Sequence, residues 1–153
     1  MKKSIVAFFH LGYWALYSLL IAFILFCLSM GMEHLPIRST ILTFIPAILG
    51  FYAFYTVLFE KYLVQKQLLK LLLYGGIAAA IAGITGAVIM ETLAHFNFGK
   101  PLFNDGWVSA IAITKLLAFV ALLNGGMGLL LRAFIAWYDD LQNKLELQKK
   151  TSM

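Results

Sequence analysis

The sequence predicts an all-α fold: a four-helix transmembrane bundle continued by a helical extension at its C-terminal end. Three observations predict it. Of the 153 residues, 62% are hydrophobic and only 12% are charged, against roughly 25% charged in an ordinary soluble domain. With a mean hydropathy of +0.88, a chain of single-domain length has too little polar material to coat a water-soluble surface. Finally, the apolar residues fall into four long stretches, and a helix needs about 20 such residues to cross the hydrocarbon core of a bilayer.

The elements follow in order. Residues 5–32 contain no Asp, Glu, Lys or Arg. That stretch is too long for a signal-peptide core and lacks a small-x-small cleavage site, so it reads as a retained first span. The second span covers 39–59 and holds Pro46, whose missing N–H predicts a kink. The third covers 71–94. The fourth covers 107–136 and is interrupted by Lys115. The predicted connections are 33–38, 60–70 and 95–106, the last marked by Asn97, Gly99, Pro101, Asn104 and Gly106. This divides the chain into a membrane domain, 1–136, and a polar helical segment, 137–153.

The net charge of +5 would suggest nucleic acid in a soluble protein. Here the basic residues stand at the ends and turns between apolar runs, where they face anionic headgroups, so no nucleic-acid partner is expected. Lys2 and Lys3, then Lys61, Lys66 and Lys70, then Arg132, Lys144, Lys149 and Lys150 alternate with loops holding only Arg38 or Lys100. The positive-inside rule therefore predicts cytoplasmic N- and C-termini in a multi-pass inner-membrane protein. Cys27 is the single cysteine; it allows no internal disulfide and reads as a packing residue.

Small residues recur at helical spacing. Gly75, Ala79, Gly83 and Ala87 lie four apart, as do Ala78, Ala82 and Gly86, and span 4 offers Ala121, Gly125 and Gly128. Such rows let helix backbones approach closely, so spans 3 and 4 are expected to pack together, or span 3 against a second copy.

The sequence holds no glycine-rich phosphate loop, no Gly-x-Ser-x-Gly and no Cys-x-x-Cys; no catalytic residue and no cofactor are expected. Glu91 and His95, four apart, share a face at the outer end of span 3, and Glu33 and His34 end span 1. Glu91, His95 and His34 are thus the candidate metal ligands, although the same residue types also serve as ordinary water-exposed helix ends. Lys115 has two open readings: an intramembrane pair with Glu91, or a long stem snorkelling to the surface. Asn124 is expected to hydrogen-bond across helices. A structural hydrogen bond is expected of His10.

Beyond span 4, Phe134, Tyr138, Leu141 and Leu145 recur with spacings of four, three and four, and no Pro or Gly occurs from 129 to 153. That is an a/d seam running on into the polar tail, as in the first heptads of a coiled coil.

These pieces, in order, resemble a known family. Phe8-Phe9-His10-Leu11-Gly12-Tyr13-Trp14-Ala15-Leu16-Tyr17 looks like the first span of LytS-like bacterial sensor histidine kinases, particularly the short Bacteroidetes forms. Phe51-Tyr52-Ala53-Phe54-Tyr55 with Leu58-Phe59-Glu60-Lys61-Tyr62-Leu63 looks like their second span and its exit. Leu130 to Trp137 looks like their last span, and Lys144 to Ser152 like the linker before the phosphoacceptor helix. The Asn-Pro-His-Phe-Leu-Phe-Asn box of the family is absent, and His10, His34 and His95 do not match it. The resemblance therefore implies the sensor and anchor half of a kinase, without enzymatic activity of its own, dimeric and joined to a downstream kinase domain. The rival expectations are a small four-span transporter or channel subunit, which usually needs an ionisable group at mid-membrane, and a membrane assembly subunit.

Overall fold

The computed structural model describes residues 3–29, 43–98 and 106–152. The fold is all-α, with no strand among the described residues. Helix α1 spans Lys3–Ser29, α2 spans Phe44–Tyr52 and continues as a π-helical segment, Ala53–Leu63, α3 spans Leu68–Phe98 and α4 spans Trp107–Thr151. Among the described residues, four helices are long and apolar enough to cross a membrane.

The chain forms two compact units, one of residues 36–129 and one combining 1–35 with 130–153. In the first, the core is built where large side chains of the second span meet small ones of α3 and α4. Phe54, Leu58, Tyr62 and Leu71 form one buried cluster, Ala79, Ala82 and Ala121 a second, and Ala87, Met90 and Leu117 a third. In the second unit, the ring of Phe9 on α1 meets that of Phe134 edge-on, with centroids 5.8 Å apart.

Membrane helices must satisfy their polar groups internally, and the hydroxyls here do so one turn back. Ser18 donates to the Trp14 carbonyl at 2.7 Å, Thr56 to Tyr52 at 2.6 Å and Thr92 to Val88 at 2.7 Å. Each such bond spares the apolar surface an unpaired donor.

Two expectations about the second span and its exit are corrected. Pro46 is the third residue of α2, behind the N-cap Thr43. The first turn of a helix has no intrahelical acceptor for its N–H groups, so the proline costs no bond there. The departure from α geometry comes later, in the wider turns of Ala53–Leu63, which close with a bond from the Val64 N–H to the Phe59 carbonyl at 3.0 Å. The connection to α3 is also much shorter than 60–70, because Glu60 and Lys61 remain helical and only residues 64–67 turn. Charge alone does not stop a helix; backbone geometry does. Lys66 adopts a φ of +58°, the Gln67 N–H reaches the Tyr62 carbonyl at 2.9 Å, and the Lys66 N–H reaches the Leu63 carbonyl at 3.0 Å. That pair of bonds around a left-handed residue is a Schellman cap. Across this turn the rings of Tyr62 and Tyr74 stack with centroids 5.0 Å apart.

The fourth helix has no break at 136. Its 45 residues run unbroken from Trp107 to Thr151, as the absence of Gly and Pro after 128 allows.

Candidate functional site

The row Gly75, Ala79, Gly83 and Ala87 is buried along its whole length. A Cβ on Gly83 would lie 2.7 Å from the Ala118 nitrogen and 2.8 Å from the Thr114 carbonyl oxygen, so α3 and α4 meet there backbone to backbone. Gly86 faces Pro46 and Leu117. Gly75 and Gly125 approach one ring, that of Phe54, from α3 and from α4; a Cβ would stand 2.9 Å and 2.5 Å from it respectively. Gly50 lies on the backbone of Ala121, and Gly128 on the carbonyl of Phe51, 2.6 Å from where its Cβ would be. The second span is thus the third partner in this packing. The sequence singled out the small residues but not Phe54 as their partner, and no spacing along the chain marks it, because the contact is set between helices.

Toward the far end of the α3–α4 pair the two helices leave a groove of about 270 Å³. Ile84, Ala87, Val88 and Glu91 line it from α3, and Ala110 and Thr114 from α4. Thr92 joins them. Glu91 is half-buried, whereas His95, one turn on, is exposed. His34, with Glu33, Lys100 and Asp105, lies outside the described residues. Among the described residues no three His, Cys, Asp or Glu side chains gather as a metal site would require.

Lys115 is exposed and is not among the groove-lining residues, although its neighbour Thr114 is. One residue along a helix is a turn of about 100°, enough to carry the ammonium out of the groove onto the outer flank. Asn124 is buried, at 4% exposure, and its Nδ2 donates to the Val120 carbonyl at 2.8 Å, along its own helix. Thr92 and Thr114 escaped the sequence reading; their spacing to Val88 and Ala110, four residues each, was the available signal.

On the second unit, Phe134 is exposed while its ring meets those of Phe9 and Trp137, and Tyr138 is half-buried. Leu141 and Leu145 are 38% and 45% exposed. The last two heptads carry an exposed ion pair, Lys144 Nζ to Asp140 Oδ2 at 2.7 Å, in the favourable i, i+4 order.

No family model, curated protein or solved structure matches the chain.

Proposed function

We propose that this chain is the membrane input module of a bacterial sensor histidine kinase, working as a homodimer in the inner membrane with both termini cytoplasmic. The observation that supports this reading is the unbroken α4, Trp107–Thr151. Residues 137–151 carry it about 21 Å beyond the apolar span at 1.5 Å per residue. A continuous helix passes a rotation or piston shift from one end to the other, which a flexible linker would absorb.

The seam supplies the output contact. Leu141 and Leu145 are exposed on a helix whose other faces are mostly polar, Leu147 apart, and a second copy in parallel would cover them with Phe134 and Tyr138. Two heptads are too short to hold a coiled coil alone, so the membrane helices and the downstream kinase domain complete the dimer. A stimulus acts through this device by binding one of its two states better than the other. A transport path is less well supported: Glu91 stands 21 residues beyond Lys70 on α3, about 31 Å along the axis, at a bilayer boundary and not at its middle.

The test uses the full-length protein. The reading frame beyond the Met153 codon is expected to continue into a phosphoacceptor box and an ATP-binding domain, and a stop codon there would remove the proposal's main support. In that protein, Asp140→Pro with Leu141→Gly should leave autophosphorylation constant across conditions that modulate the wild type. Regulation that survives both changes would reject the transmission role.

A further inference from the structure

Three lysines surround the turn that joins the second span to α3. Lys61 is two residues before the end of the Ala53–Leu63 segment, Lys70 is two residues after the start of α3, and Lys66 is in the turn itself. All three are exposed. The two legs are held together at this level. Tyr62, next to Lys61, stacks on Tyr74 and shares a buried cluster with Leu71, next to Lys70. Lys61 and Lys70 therefore stand at one depth, each about 3 Å back from the turn, on packed helices whose axes lie about 8–10 Å apart. The turn between them is fixed by the two backbone bonds around Lys66.

The charge here is not balanced by the protein. Glu60 is the one acidic residue from 53 to 90, so three lysines against one carboxylate leave the turn with a net +2. Among the described residues no carboxylate pairs with any of the three lysines. Lys61 instead has its Nζ 5.7 Å from the centroid of the Tyr62 ring, a contact made by charge and not by a hydrogen bond. Such a turn calls for two negative charges from outside.

The surface beside the lysines is apolar. Leu73, three residues along from Lys70, and Val57, four before Lys61, continue the faces of those lysines into the spans. They are 61% and 57% exposed. A dissolved anion or an acidic peptide leaves that surface bare, whereas acyl chains cover it. We propose that this turn binds diphosphatidylglycerol, a phospholipid with two phosphates in one headgroup. Lys61 and Lys70 each take one phosphate, Lys66 adds its charge above them, and acyl chains lie along Val57 and Leu73. Basic sites between membrane helices suit such headgroups because attraction and apolar contact act on one molecule. Phosphatidylglycerol brings a single phosphate to the same turn, and phosphatidylethanolamine brings no net charge.

The inference rests on the chain crossing a bilayer with this turn at a headgroup layer, and is independent of the kinase reading. The full chain, in mixed micelles, is titrated with diphosphatidylglycerol, phosphatidylglycerol or phosphatidylethanolamine, and the retained lipid is counted by native mass spectrometry. Wild type should hold the three in that order. Lys61→Gln with Lys70→Gln should weaken diphosphatidylglycerol by about tenfold or more, the worth of two lysines at an anionic headgroup. Lys66→Gln alone should weaken it by a smaller factor. Lys149→Gln with Lys150→Gln removes the same charge at the far end of α4 and should leave it unchanged. Equal retention of diphosphatidylglycerol and either other lipid by wild type would overturn the proposal without recourse to any variant. Equal losses from the two lysine pairs would also overturn it, because net charge and not this turn would then hold the lipid. Displacement of the bound lipid by millimolar inorganic phosphate would make a dissolved anion the ligand instead. Failure of the chain to insert into vesicles would reject the membrane placement beneath the proposal.

Discussion

The ring of Phe54 rests directly on Gly125: a methyl group at Gly125 would come within 2.5 Å of the ring's Cδ2. Gly75 approaches the same ring from α3, so three segments of chain meet on one aromatic side chain. Phe54 is 5% exposed, which leaves the ring little room to yield.

Gly125→Ala should therefore destabilise the protein by about 1–3 kcal/mol, as overpacking does. Phe54→Leu should relieve part of that cost, so that the double variant is more stable than the two single effects predict by about 1 kcal/mol. Chemical unfolding in mixed micelles gives all four corners of the cycle; strict additivity would show that the ring does not press on Gly125.

Position on the helix, and not glycine content, should decide the outcome on α3. At Gly83 the neighbours are the backbone of Thr114 and Ala118, whereas a Cβ at Gly76 meets nothing within 4 Å. Gly83→Ala should cost about 1–3 kcal/mol, and Gly76→Ala should be neutral or stabilising by up to about 1 kcal/mol, through backbone entropy. The same unfolding assay reads both, and equal effects would contradict the backbone contact.

The turn after the second span carries its own strain. Lys66 holds a left-handed φ of +58° that L-residues with a Cβ adopt at a cost. Lys66→Gly should raise stability by about 1 kcal/mol, and Lys66→Pro, which removes the N–H that reaches Leu63, should lower it. A lower melting point for Lys66→Gly would mean that the lysine side chain contributes more than its backbone costs.

Parallel pairing of the seam makes a positional forecast. Cys27 is exposed and is first replaced by Ser. Leu141→Cys and Leu145→Cys should then form intermolecular disulfides in oxidised membranes, while Asn143→Cys, about 200° around the helix from Leu141, should form few. Non-reducing gels read the fraction of dimer, and equal yields at the three positions would place the seam outside any dimer contact.

Much of this molecule was legible in the sequence, and the reason is local. Bilayer thickness sets a minimum apolar length, so long apolar stretches with few charges mark the four spans, and period-four glycines and alanines mark a packing face. The ends of elements were less legible. Glu60 and Lys61 looked like loop residues, yet a helix carries charge readily, and it is the Lys66 backbone that ends it. The candidate site was legible only as residues: Glu91 stood out, and Thr92 and Thr114 did not.

By itself, then, the sequence determined the all-α class, the presence of long apolar helices and the unbroken run from Trp107 to Thr151, because these depend on hydropathy, propensity and the absence of breakers along one strand of chain. Only the tertiary structure decided which small residue meets which neighbour. Phe54 between Gly75 and Gly125, Gly83 on the Thr114–Ala118 backbone, and the groove that half-buries Glu91 while leaving Lys115 outside all depend on the rotation and vertical offset of one helix against another. Spacing within a single helix fixes its faces, but the partner of each face is set by packing between helices.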